Sequence, residues 1–108
     1  MDDGDGATYA GQKNAKGEKE GFGIKNYPNG AVYFGLWKAG KAHGQGWFFH
    51  DDGDVYKGDW ADGQQNGKGV YLHADGTRYE GGWKNDEKSG HGDEFWAQDG
   101  SSYTGDYV

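Results

Sequence analysis

Four histidines, eighteen carboxylates and six serine or threonine hydroxyls are the groups of this 108-residue chain that could do acid–base, nucleophilic or metal chemistry. Catalysis needs a nucleophile held against a base, with a third group to orient the base. His50 and His73 are each followed shortly by an aspartate, but they occupy the same place in two successive segments. Repeated placement points to a structural task, such as a strand end facing solvent. The chain has no Gly-x-Ser-x-Gly, no phosphate-cradling Gly-x-x-x-x-Gly-Lys-Ser/Thr and no Gly-x-Gly-x-x-Gly. Asp51-Asp52-Gly53-Asp54 is acidic enough to attract calcium. A calcium loop needs carboxylates at alternate positions and a closing glutamate, which this run lacks, so it reads as a solvated turn. His43, His50, His73 and His91 lack the i, i+4 spacing of a helical zinc site, and there is no cysteine to join them. The expectation is a chain that is not an enzyme, with no catalytic residue, no metal and no cofactor.

The elements that carry these groups follow from composition. Twenty-three residues are glycine, and no stretch without one exceeds seven residues. Each interior glycine costs a helix about 1 kcal/mol against alanine, so the chain is expected to be short strands and turns. Leu, Ile and Val total only seven, which with a net charge of −7 would suit disorder, but eighteen aromatic residues supply an alternative core. No apolar run approaches the ~20 residues of a membrane span, and Met1–Ala10 has no secretory pattern. A soluble cytoplasmic domain is expected, preceded by an acidic tail at residues 1–8. The acidic balance opposes nucleic-acid backbones.

An internal repeat organises the rest. Tyr9, Tyr33, Tyr56, Tyr79 and Tyr103 are spaced by 24, 23, 23 and 24 residues. A glycine stands two residues after each (Gly11, Gly35, Gly58, Gly81, Gly105), and a tryptophan two further on in three of them (Trp37, Trp60, Trp83). Lys13 and Tyr107 take that place in the outer two. A Gly-x-Gly recurs in phase at Gly21, Gly44, Gly67 and Gly90, and an Asn-Gly or Asp-Gly at Asn29, Asp52, Asp75 and Asp99. Tyr-x-Gly-x-Trp has period two, so its rings share one strand face. Turns at Lys38–His43, Ala61–Asn66 and Lys84–Ser89 lead into second strands expected at Gly44–His50 and Gly67–His73. The Asx-Gly pairs, read as two residues tolerant of positive φ, turn the chain back.

Tyr33-Phe-Gly-Leu-Trp-Lys-Ala-Gly-Lys-Ala-His-Gly-Gln-Gly46, Tyr56-Lys-Gly-Asp-Trp60 with Asn66-Gly-Lys-Gly69, and Tyr79-Glu-Gly-Gly-Trp-Lys-Asn85 closely resemble the MORN (membrane occupation and recognition nexus) repeat. The resemblance covers Tyr9 to Val108, as repeats of about 9–32, 33–55, 56–78 and 79–102 and a half-repeat 103–108. It implies an all-β fold: an elongated single-layer antiparallel sheet of successive hairpins. It also implies a scaffold without catalysis, docking protein partners in a multi-subunit assembly. The settings it implies are a ciliary or flagellar axoneme, above all a radial spoke, or a cytoskeletal complex. The alternatives are a phosphoinositide-binding membrane tether and a regulatory subunit of a separate enzyme.

The residues expected to bind follow from the same pattern. Tyr33, Trp37, Tyr56, Trp60, Tyr79 and Trp83 form one aromatic stripe, serving as core and partner groove together, with Phe48, Tyr71 and Phe95 widening it. Tyr103, Gly105 and Tyr107 lie on a terminal strand whose free edge can pair with another chain or a second copy. Lys13, Lys16 and Lys19 are the candidate lipid contacts, interrupted by Glu18 and Glu20.

Overall fold

The computed structural model describes residues 6–107. Nine strands run in chain order: β1 Thr8–Lys13, β2 Lys19–Asn26, β3 Val32–Lys38, β4 Lys41–Phe49, β5 Val55–Ala61, β6 Gln64–Leu72, β7 Arg78–Lys84, β8 Glu87–Phe95 and β9 Ser102–Tyr107. Each pairs antiparallel with the next, so sequence order is spatial order in one open sheet. No helix occurs among the described residues. The all-β hairpin array expected from the repeat is the fold. The long dimension, 48 Å, lies across the strands. β1 begins one residue inside the predicted tail, at Thr8, and Ala7 is fully buried. Residues 1–5 of that tail and Val108 of the half-repeat lie outside the described residues.

Two kinds of turn alternate, and both differ from expectation. The links within the second, third and fourth repeats are shorter than predicted. Lys38 pairs Lys41 directly, leaving only Ala39 and Gly40, with φ of 50° and 85°. Asp62–Gly63 and Asn85–Asp86 repeat this two-residue geometry. Two successive left-handed residues match the right-handed twist of the flanking strands. The second strands therefore start at Lys41, Gln64 and Glu87, three residues before the glycines taken to open them. In the links between repeats only the glycine of each Asx-Gly has positive φ. The Asn or Asp instead accepts the backbone N–H two residues on: Asn29 from Ala31, Asp52 from Asp54, Asp75 from Thr77 and Asp99 from Ser101. Its role is an Asx turn, not a left-handed backbone.

A glycine row crosses the whole sheet. Gly11 pairs Gly23, Gly23 pairs Gly35, and the chain of pairs continues unbroken to Gly92 and Gly105. Tyrosines lie flat across it. Any side chain on Gly46 or Gly69 would land on the ring and hydroxyl of Tyr33 or Tyr56. Tyr33, Tyr56 and Tyr79 are almost wholly buried, at 1%, 0% and 0% exposure. Each hydroxyl donates to the carbonyl three residues on: Tyr33 to Leu36 at 2.8 Å, Tyr56 to Asp59 at 2.9 Å, Tyr79 to Gly82 at 2.8 Å. Those carbonyls sit where the hairpin register breaks, between Gly35 and Trp37 and at the equivalent places.

The tryptophans bind backward. Trp37, Trp60 and Trp83 donate their indole N–H to Gly23, Gly46 and Gly69 in the preceding strand, at 3.1–3.2 Å. Each of these three tryptophans also meets two tyrosines edge to face. Trp60 lies 5.2 Å from both Tyr33 and Tyr56, with interplanar angles of 88° and 89°. Tyr9, Trp37, Tyr33, Trp60, Tyr56, Trp83, Tyr79, Tyr107 and Tyr103 make one continuous edge-to-face series. Each such contact adds about 0.5–1.5 kcal/mol beyond the area buried. This series takes the place of an aliphatic core.

Gly69→Ala is expected to lower the unfolding free energy by about 3 kcal/mol, because the new methyl has no space beneath Tyr56. Gly63→Ala meets nothing within 4 Å and strains only a backbone at φ +83°, so about 1 kcal/mol is expected. Urea titration followed by tryptophan fluorescence compares them; equal losses would rule out the steric role of the row.

Burial raises the phenol pKa of Tyr33, Tyr56 and Tyr79. It does the same for Tyr71 and Tyr107, whose hydrogen bonds to Asp54 and Glu94 raise it further. A phenol raised in the folded state contributes stability that is complete below its unfolded pKa of about 10 and is lost as pH rises beyond it. Alkaline difference absorbance is therefore expected to show these five ionising late, together with loss of circular dichroism. Ionisation of all tyrosines near their ordinary value in a still-folded chain would contradict this.

Candidate functional site: an aromatic groove on the tyrosine face

The register fixes which residues share a face. Phe48 pairs Tyr33 and Tyr56, and Tyr71 pairs Tyr56 and Tyr79, so both stand on the tyrosine face as expected. Phe95 does not. Glu94 is the residue that pairs Tyr79 and Tyr103, and Phe95 pairs Arg78 and Ser102 on the opposite face. Phe95 stands three residues after Gly92, as Phe49 and Leu72 stand after Gly46 and Gly69, and with a period of two that is the opposite face. Glu94 is 7% exposed, and its carboxylate takes Lys88 Nζ at 3.0 Å and the Tyr107 hydroxyl at 2.8 Å. An ion pair thus occupies the place that a ring holds in the second and third repeats.

Two adjoining hollows lie along the tyrosine face. The first, about 190 Å³, is walled by Tyr27, Trp37, Ala42 and Phe48, with Lys25 and Lys41 at its rim. The second, about 380 Å³, is walled by Phe48, Trp60, Gln65 and Tyr71, with His50 and Asp86. Phe48, Trp60 and Gly63 belong to both, so the hollows form one groove running across the strands. Of the predicted stripe, Trp37 and Trp60 show only edges to the groove, at 6% and 8% exposure. Tyr56 and Tyr79 are closed off beneath, and the open rings are those of the second strands. Trp83, at 8% exposure, continues the same row.

The histidine of the second hollow is not a solvent-facing strand end. His50 is half-buried, lies 4.6 Å from Phe48 and 5.6 Å from Tyr71 ring to ring, and its Nε2 is buried without a hydrogen-bond partner among the described residues. Asp54 is tied to the next turn by the Ala74 N–H at 2.8 Å and the Tyr71 hydroxyl at 2.9 Å, with His73 Nδ1 at 3.4 Å. Burial pushes its carboxyl up, but these hydrogen bonds and His73 outweigh that and hold its pKa below the usual value. Among the described residues no three His, Asp or Glu side chains gather as a metal site requires.

The opposite face carries what the sequence reasoning missed. Phe22, Phe34, Leu36, Trp47, Phe49, Leu72 and Phe95 are each 38–43% exposed there. Phe22 and Phe34 meet edge to face at 4.8 Å, Trp47 stacks on Phe49, and Lys57 Nζ lies 4.8 Å above Trp47. Alternation with the tyrosines was the available signal. Beside these apolar side chains the same face carries charge, with Lys57, Asp59, Lys68, Glu80 and Asp93 around a hollow of about 480 Å³.

On β9, Tyr103 is 43% exposed and Tyr107 packs on Tyr79 at 5.1 Å. Gly105 pairs Gly92, and beyond β9 no further strand follows among the described residues. Lys13 and Lys19 face each other across β1 and β2, and both stand over the Tyr9 ring. Lys16 is set apart at the tip of the Asn14–Glu18 turn, where its N–H bonds Asn14.

The MORN repeat family model matches residues 9–32, 33–55, 56–78 and 79–101. No curated protein matches the chain. MORN repeats are generally protein- or membrane-interaction modules, and the family is typically non-enzymatic. Four successive matches over nearly all of the hairpin array make this chain a member of the MORN repeat family.

Proposed function

We propose that this chain is a non-enzymatic docking module that holds protein partners within a larger assembly. The observation that carries this reading is the single layer. A sheet is stable when its apolar face is covered by another element, and the described residues supply no second layer over either face. The groove at Phe48 and Tyr71 stays open on one side, and seven large apolar side chains stay exposed on the other. Exposed apolar surface of this extent marks interaction sites, and tyrosine and tryptophan are favoured anchors. Among the described residues the outer edge of β9, at Tyr103, Gly105 and Tyr107, pairs with no strand and offers a neighbour, or a second copy, a strand to extend. The acidic net charge of −7 steers basic partners toward these surfaces. A rigid platform without chemistry suits permanent architecture, so the setting proposed is cytoplasmic: a ciliary axoneme or radial spoke, or a cytoskeletal complex.

The test recovers the tagged chain from its own cells at low and high salt, beside a Phe48→Ala/Tyr71→Ala variant whose folding is checked by circular dichroism. Protein partners that withstand high salt, and fall at least tenfold with the folded variant, are the expected result. The opposing outcome is binding only to phosphoinositide vesicles, abolished by salt and by replacing Lys13, Lys16 and Lys19. That would replace the scaffold with a membrane tether.

A further inference from the structure

We propose that the groove on the tyrosine face receives a proline-rich segment in the polyproline II conformation, lying across the strands with one residue in three seated in a hollow. This rests on the docking function proposed above and names the chemistry of its ligand. The first argument is spacing. The two hollows lie one repeat, and so two strands, apart, which spaces them by about 9.4–9.8 Å. Three residues of polyproline II advance about 9.3 Å and return to the same side. Seven residues of α-helix advance about 10.5 Å, and the same-side step of an extended strand is about 6.8 Å. Of these regular conformations, polyproline II stays in register with the hollows.

The second argument is the supply of hydrogen bonds. The core indoles and hydroxyls are already committed to main-chain carbonyls, as Trp60 is to Gly46 and Tyr56 to Asp59. The Tyr71 hydroxyl is held by Asp54. A groove of engaged donors disfavours a ligand whose main chain needs many partners. Proline has no N–H to satisfy, and its ring packs on aromatic walls while the stiff chain loses little entropy on binding. His50 lines the second hollow, and its Nε2 is buried behind the ring without a hydrogen-bond partner among the described residues. Turning the imidazole outward as the ligand seats, in its Nε2–H tautomer, brings this donor to a ligand carbonyl and gives an otherwise orphaned polar atom a partner.

The third argument is charge. Lys25 and Lys41 border the first hollow, and Asp86 borders the second. The ligand that fits carries an acidic residue toward the first hollow and a basic residue toward the second. Past the second hollow the Lys88–Glu94 pair occupies the ring position, which ends the aromatic wall.

The test uses the purified full chain and fluorescein-labelled synthetic peptides. One has proline at every third position, a glutamate at one end and an arginine at the other, and is made in both chain directions. A second has the same composition with proline at every fourth position. A third is an amphipathic helix with the same end charges. Anisotropy titration is expected to show one direction of the first peptide binding at least tenfold tighter than the other two peptides. Tyr71→Ala should weaken it about tenfold, and amide and indole resonances around Trp60 and Gln65 should shift. His50→Phe, which keeps the wall and removes the donor, should weaken it less. Equal binding of the respaced peptide, tighter binding of the helix, shifts centred on Phe34 and Trp47, or no binding by any peptide would each overturn the proposal. Salt-resistant recovery of cellular partners that still depends on Phe48 and Tyr71 would then leave the docking function standing without this ligand; loss of both would remove the two together.

Discussion

Everything in this fold depends on a tyrosine ring lying across a glycine. The contact decides three things at once. It requires glycine in the facing strand, since any Cβ on Gly69 would overlap Tyr56. It places the hydroxyl against the carbonyl of Asp59, at the register break of the hairpin. It also holds the ring perpendicular to Trp60 and Trp83, which carry the contact to the neighbouring repeats. Remove the glycine and the ring must lift; once it lifts, the hydroxyl leaves a carbonyl unpaired and both tryptophans lose an edge-to-face partner. A buried polar group without its partner costs about 1–3 kcal/mol, so the loss extends beyond one side chain. This explains how so few aliphatic residues suffice.

The ends of the array show what the interior requires. At the N-terminal end a cation stands in for the missing ring: Lys13 and Lys19 hang over Tyr9, and Lys19 also reaches Trp37 at 5.6 Å. At the C-terminal end Tyr107 takes the tryptophan position and keeps the edge-to-face contact with Tyr79 at 5.1 Å. Lys88 lies 5.0 Å over Tyr79 and is neutralised by Glu94. Ring–cation contacts thus supplement the edge-to-face contacts that Tyr9 keeps with Trp37 and Tyr79 keeps with Tyr107.

Most of the fold was legible because the repeat writes each packing contact several times. Tyr-x-Gly-x-Trp at a spacing of about 23 residues specified the strands, the buried face and the order of the sheet. What was not legible involved single residues. The glycines of the Gly-x-Gly motifs looked like strand openings; Gly44 and Gly67 are instead left-handed residues inside second strands, with φ of 94° and 101°. The true turns, such as Ala39–Gly40, hid in a run of equally turn-prone residues. Phe95 stands four residues before its Asp-Gly, as Phe48 and Tyr71 do, but the fourth repeat has one more residue between Gly92 and Gly100, and the count from Gly92 sets the face. The groove was half legible. Phe48 and Tyr71 were recognisable from the register, but nothing in the sequence said that the first-strand tyrosines would be sealed beneath them. Alternation marks Phe22, Phe34 and Trp47 as the opposite face, but nothing in the sequence says how much of that face stays exposed.

The division between sealed and open positions bears on function. Tyrosine, glycine and tryptophan recur without change in the second, third and fourth repeats because each satisfies the others. The groove positions beside them do not recur. Opposite the tryptophan stand Ala42, Gln65 and Lys88; opposite the tyrosine stand Phe48, Tyr71 and Glu94. A substitution at these sites alters the hollow without disturbing the tyrosine–glycine contact. The array can therefore keep one rigid frame and present a different lining at each step, from apolar in the second repeat to ionic in the fourth. Directionality follows: a ligand lying along the groove meets lysines at one end and a carboxylate at the other, and binds in one orientation. Specificity is thus carried by the few residues that the core leaves unconstrained, while the core fixes their spacing.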